Sequence, residues 1–186
     1  MFNLDQFISQ YVTRRSDSMF LPDIKANKET LCRNIMNKSV LVIGGAGSIG
    51  SSFIKAILPF KPSTLVVVDT NENALAELTR NLRSTKGMHV PYDYIPYPMD
   101  FASPVFERMF RKRGGFDIVG NFSAHKHVRS EKDIYSVEAL LQNNVLHAKQ
   151  LLDLLSEYPP EEYFCALKRL TLEKGIRELP VESSTQ

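Results

Sequence analysis

The sequence predicts an α/β fold, a doubly wound parallel sheet preceded by an N-terminal helical arm. Three observations carry that expectation. Short runs rich in Val, Leu and Ile alternate with stretches of helical period from residue 39 to residue 165. The strongest of these runs are apolar on successive residues rather than on alternate ones, as strands covered on both faces are. A glycine cluster, Gly44-Gly45-Ala46-Gly47-Ser48-Ile49-Gly50, stands where the first run gives way to the first amphipathic stretch.

Each element follows from its residues. In the arm, residues 1–38, Phe2, Leu4, Phe7, Ile8 and Tyr11 recur at helical spacing, and Pro22 is expected to end that segment. Leu31, Ile35 and Met36 continue a second short helical pattern. SVLVIGG, from Ser39, is the first strand. Ser48 to Leu58 is a helix with Ile49, Phe53, Ile54, Ile57 and Leu58 on one face, stopped by Pro59 and Pro62. TLVVVDT, from Thr64, is the second strand, and Glu72 to Arg83 a helix burying Leu75, Leu78 and Leu82. Tyr92 to Met99 is a weaker third strand, confined by prolines at 91, 96 and 98. Phe101 to Arg111 is a helix that Gly114-Gly115 breaks. FDIVGNF is the fourth strand, Val137 to Leu155 one long amphipathic helix, and EEYFCAL contains the fifth strand.

Composition bounds the function. In 186 residues, 43% are hydrophobic and 24% charged, which argues against a disordered or fibrous chain. The formal charge of +2 is too balanced for a nucleic-acid binder. Two cysteines, Cys32 and Cys165, suit a reducing cytoplasm better than a disulfide scaffold. No apolar run reaches the length of a membrane span, and the amphipathic N-terminus, which carries Asp5, does not read as a secretory signal.

The glycine cluster fits two frames, Gly44-x-x-Gly47-x-x-Gly50 or Gly45-x-Gly47-x-x-Gly50. Either allows a tight turn and lets a pyrophosphate approach the backbone at a helix start, where free N–H groups hold negative charge. A purely structural turn is the alternative, and the strand-to-helix setting favours a dinucleotide. Asp69 ends the second strand, close to the offset of about 20 residues expected of a carboxylate that binds the adenosine ribose. Its charge opposes a 2′-phosphate, which favours NAD over NADP. Asp100, after the third strand, either contacts the adenine or only caps the following helix.

At this point the chain resembles the extended short-chain dehydrogenase/reductase superfamily. It is most similar to the UDP-N-acetylglucosamine 4,6-dehydratase type of polysaccharide biosynthesis. The resemblance runs from Ser39 to Cys165, through VLVIGGAGSIGSSF, VVVDTNENALAEL, FDIVGNFSAHKHVRSEKD and EALLQNNVLHAKQLLDLL. It implies a Rossmann-like domain over residues 39–186, cut short after about 165, and NAD as cofactor with NADP as the alternative. Gly44, Gly47 and Gly50, with Ser48 and Ile49 between them, would hold the pyrophosphate, Asp69 the ribose, and Asp100 the adenine. Asn121, Ser123 and Ala124 would line the nicotinamide-side ribose. Lys126 and His127 would face the cleft, and Asn144 would fix the geometry of the active-site helix. A nucleotide-sugar substrate and a homo-oligomer are implied, with no metal.

The chain departs from that family after the fifth strand. A Ser/Thr-Asp-Lys segment and then a Tyr-x-x-x-Lys pair belong there. Here EEYFC runs directly into ALKR, which makes Lys168 the counterpart of the catalytic lysine and puts Tyr163 one residue too early. The sequence therefore supports two functions, a nucleotide-sugar dehydratase or epimerase present mainly as its cofactor-binding portion, and a non-catalytic dinucleotide-binding module. A flavin site on the same fold is a weaker third.

Overall fold

The computed structural model describes residues 7–12, 14, 20–125 and 134–165. Five parallel strands form one sheet: β1 (Ser39–Ile43), β2 (Thr64–Asp69), β3 (Asp93–Pro98), β4 (Ile118–Asn121) and β5 (Glu162–Cys165). Their order is β3-β2-β1-β4-β5. The three most apolar runs thus occupy the interior, where Val40, Leu41, Val42, Leu65, Val66, Val67 and Val119 are all 0% exposed. Each such side chain contributes about 1.5–3 kcal/mol relative to exposure. The proline-bearing β3 lies at one edge, where a missing N–H costs no ladder bond.

Helices cover both faces. α1 (Leu21–Ala26) and α2 (Lys28–Ile35) precede the sheet, followed by α3 (Ser48–Ile57), α4 (Glu72–Ser84) and α5 (Pro104–Arg113). On one face Ile54 and Ile57 of α3 and Leu75, Leu78 and Leu82 of α4 pack with Val40, Val42, Leu65 and Val67, joined by Ile35 of α2. On the other, Phe106 and Phe110 of α5 and Leu151, Leu154 and Leu155 pack with Leu41, Ile43, Val66 and Val68. Successive strand residues supply opposite faces, which explains the unbroken apolar runs. Among the described residues, no helix is long and apolar enough to cross a membrane.

Three expectations change in detail. Pro22 does not end a helix; it lies in the first turn of α1, where the lost N–H had no intrahelical partner. The helix expected from Phe101 starts at Pro104, because Ser103 accepts the Phe106 N–H as its cap. The long helix after β4 is continuous but not uniform. It runs as α6 (Ile134–Leu141), a π-helical segment (Gln142–His147) and α7 (Ala148–Glu157). In the arm, Phe7 and Tyr11 stack on each other at 5.2 Å around a π turn, Ile8–Val12, and both rings are exposed.

The strand order reverses direction between β1 and β4. Such a switch point opens a crevice at the carboxyl ends of the strands, and the glycine cluster leaves β1 into it.

Candidate functional site

The backbone decides which glycine frame faces that crevice. Gly44 has φ +69°, and a Cβ there would sit 2.6 Å from the Ser123 nitrogen. The β1 and β4 loops meet at this point, so only glycine fits. Gly45 is buried instead against Val42, Val67 and Ile54, as a packing residue. Gly47 begins α3 as its N-cap, with no side-chain cap among the described residues. The first-turn N–H groups, which lack intrahelical partners, remain available. Gly50 lies beneath the turn, where a Cβ would run into the Gly44 carbonyl and come within 2.7 Å of the Gly45 Cα. The Gly44, Gly47, Gly50 frame is therefore the one that shapes the loop.

Asp69 buttresses this turn. Its Oδ2 accepts the Ala46 N–H at 3.0 Å and its Oδ1 accepts the Asn71 N–H at 3.0 Å. Each carboxylate oxygen keeps a further lone pair for a ligand hydroxyl. Asp69 is not the helix cap, since Asn71 fills that role by accepting the Ala74 N–H. Asp100 is exposed, and its Oδ1 accepts the Ala102 N–H at 2.9 Å, leaving the other oxygen directed by no partner among the described residues.

The β4 side is held by two asparagines. Asn121, 3% exposed, accepts the Ser123 N–H at 3.1 Å and sets the turn into Ala124. Asn144, 8% exposed, lies in the π segment. Its Oδ1 accepts the His125 N–H at 3.0 Å, and its Nδ2 donates to the His125 carbonyl at 3.1 Å. Asn143 Nδ2 donates to the same Oδ1 at 2.9 Å. The wider π turn is a frequent feature of functional sites, and here it carries the amide that fastens the loop.

These elements enclose a cleft of about 470 Å³ that Gly44, Gly47, Asp69, Asp100, Ser123 and Ala124 line together. Ser48, Ile49, Gly50, Asn121 and Asn144 stand behind or beside it. Sequence reasoning missed Phe101, Ala139, Gln142 and His147, which also line it. Ala139, Asn143 and His147 recur every four residues, a helical face that could have been read as one side of a site. Phe101 carries no such signal. Lys126, His127 and Lys168 lie outside the described residues.

Tyr163 lies in β5, half-buried against the α5 and α7 side of the sheet. Burial first, then the neighbouring Cys165 thiol, push its phenol up to about 12, against a smaller opposing bond to Asn121. Tyr163 is therefore protonated at neutral pH and is a poor proton acceptor.

The family model described as polysaccharide biosynthesis protein matches residues 40–163. An uncharacterized membrane protein of Methanocaldococcus jannaschii is 28% identical over 152 residues, 81% of this chain and 40% of that protein. The capsular polysaccharide biosynthesis protein CapD of Staphylococcus aureus is 25% identical over 136 residues, 72% of this chain and 22% of its own. The UDP-glucose-4-epimerase of Stenotrophomonas maltophila, solved with bound NAD and formylated UDP-arabinopyranose, shares the fold. The TM-score is 0.54 at 21% identity, over 69% of this chain and 36% of that one. The chain thus spans less than half the length of each. A family match covering the glycine turn, Asp69, both asparagine-held loops and the first half of β5 places this chain in the polysaccharide biosynthesis protein family.

Proposed function

We propose that this chain is the cofactor-binding portion of an NAD-dependent nucleotide-sugar 4,6-dehydratase of polysaccharide biosynthesis, with UDP-N-acetylglucosamine as substrate. One observation carries the reading. The turn that would hold a pyrophosphate and the carboxylate that would hold a ribose are joined by the Ala46 to Asp69 hydrogen bond and face one cleft. The glycines fit the group, because the crowding at Gly44 and Gly50 brings bare backbone to the cleft floor.

In this reading the free N–H groups at the start of α3 take the pyrophosphate charge. Asp69 accepts from the ribose hydroxyls and repels a 2′-phosphate, which selects NAD. Asn121 and Asn144 hold the β4 loop at the nicotinamide end. A bound nicotinamide dinucleotide supplies reversible hydride exchange with the sugar. The relatives' names and the bound molecules of the epimerase support the class of substrate. The exposed Ile134, Val137, Leu141 and Leu146, which line one surface hollow, support a homo-oligomer. We place the protein in the cytoplasm on its two free cysteines.

A second reading is a dinucleotide-binding module without turnover. It is favoured by Tyr163, whose phenol is raised and which stands one residue out of register with Lys168, and by the missing Ser/Thr-Asp-Lys segment between Cys165 and Ala166. The experiment has two steps. The chain is first given NAD and UDP-N-acetylglucosamine, and the sugar is followed by mass spectrometry. Both readings expect NAD to bind and the sugar to stay unchanged; turnover at an ordinary enzymatic rate contradicts both. A family segment carrying Ser/Thr-Asp-Lys and the tyrosine is then spliced in between Cys165 and Ala166. A 4-keto-6-deoxy product supports the dehydratase, a 4-epimer supports an epimerase, and an unchanged sugar supports the module.

A further inference from the structure

His147 is the one described residue with a buried side-chain nitrogen lacking any hydrogen-bond partner, its Nδ1. It ends the π segment, and its ring stands edge-on to Phe101, centroids 5.9 Å apart at 84°. Both rings line the cleft, and Phe101 follows Asp100 just beyond β3. This is the same side of the cleft as Asp69, the side away from β4. A phenyl ring would satisfy the contact with Phe101 without hiding a polar atom. An unpaired buried nitrogen costs stability, and such costs concentrate at functional sites.

We propose that His147 reads the purine base of the bound dinucleotide. The proposal rests on the dinucleotide reading above. With the ribose at Asp69, the base lies toward Asp100, Phe101 and His147. A purine edge offers ring-nitrogen acceptors and, in adenine, an exocyclic amine donor. A neutral imidazole carries one donor and one acceptor, so it can pair with either kind of group. Turning the ring about its Cβ–Cγ bond exchanges the Nδ1 edge for the Cδ2 edge with no backbone change. Ligand entry therefore gives the orphaned nitrogen a partner.

The test divides the dinucleotide into its halves. The chain carrying ¹⁵N-labelled histidine is titrated with AMP, with nicotinamide mononucleotide and with NAD, and the imidazole nitrogens are followed by NMR. His147→Phe identifies the signals of His147 among the 4 histidines. AMP and NAD are expected to shift the His147 nitrogens, and nicotinamide mononucleotide to leave them in place. His147→Phe should bind AMP and NAD about tenfold more weakly and melt about 2–4 °C higher without ligand, having lost the unpaired nitrogen. His147→Gln, which keeps a donor and an acceptor, should recover part of the affinity. Binding of AMP with the His147 signals unmoved overturns the proposal, as does unchanged affinity in His147→Phe. If neither AMP nor NAD binds the unmodified chain, the dinucleotide reading falls and the proposal with it. Should His147→Phe fail to fold, the AMP titration of the unmodified chain decides, with His147→Gln supplying the assignment.

Discussion

The side-chain amide of Asn144 is bonded at both ends to the backbone of a single residue, His125, 19 positions earlier. It serves the loop after β4 as a neighbouring strand would, offering one acceptor and one donor in register. The π segment makes this possible by turning a buried amide toward the loop. Asn144→Ala leaves the His125 N–H and carbonyl without those partners, which costs about 2 kcal/mol. Urea denaturation should show a lower midpoint with little change in slope, and NAD affinity should fall with it.

Gly44 and Gly47 look alike in sequence and differ in the fold. Gly44→Ala places a Cβ at positive φ and 2.6 Å from the Ser123 nitrogen, so it should destabilise the chain by more than about 2 kcal/mol. Gly47, at φ −70°, meets only the Gly44 carbonyl at 3.4 Å, an ordinary contact. Gly47→Ala should change stability by less than about 1 kcal/mol and weaken NAD binding about tenfold. Melting curves and calorimetric titrations of the two variants check the contrast.

Asp117 ties the starts of β1 and β4 together. Its Oδ2 accepts both the N–H and the Oγ–H of Ser39 at 2.7 Å. Burial works against the charge, but the two Ser39 bonds and the Lys38 charge outweigh it and hold the carboxyl below its usual range. The stabilisation is present above the ordinary carboxylate range and is lost as pH falls through the lowered native value. Asp117→Asn should therefore lower the melting temperature at pH 7 and flatten its fall below about pH 4.

At the alkaline end the sign reverses. The Tyr163 phenol, pushed up to about 12, favours the native state below its ordinary value of 10.0, and that contribution is lost as pH rises toward 12. Burial raises the Tyr94 phenol as well, so absorbance titration near 295 nm should show a late-ionising component that Tyr163→Phe reduces and does not abolish. Alkaline unfolding of the variant should begin at higher pH.

The strands and their helices were legible because buried parallel strands must be apolar on every residue, as Val40 to Ile43 and Leu65 to Val68 are. The glycine frame was not, since both frames satisfy the spacing. The choice depends on the meeting of Gly44 with Ser123, which lies in another loop. Pro22 misled because the same residue can stop a helix or occupy its first turn. Asn144 was expected to fix the geometry of its helix, but its partner at His125 and the π segment follow only from tertiary contact. Phe101 and His147 join the site because β3 and the π segment converge on it, which no local pattern encodes. The part of the site assigned to Lys126, His127 and Lys168 lies outside the described residues.

The most direct measurement is calorimetric titration of the unmodified chain with NAD and, separately, with NADP, repeated with Asp69→Ala. One NAD per chain is expected, bound at least tenfold more tightly than NADP. Asp69→Ala is expected to weaken NAD binding and narrow the preference, because the substitution removes both the ribose acceptor and the charge facing a 2′-phosphate. Absence of NAD binding by the unmodified chain would contradict the account, and tighter binding of NADP would contradict the role given to Asp69.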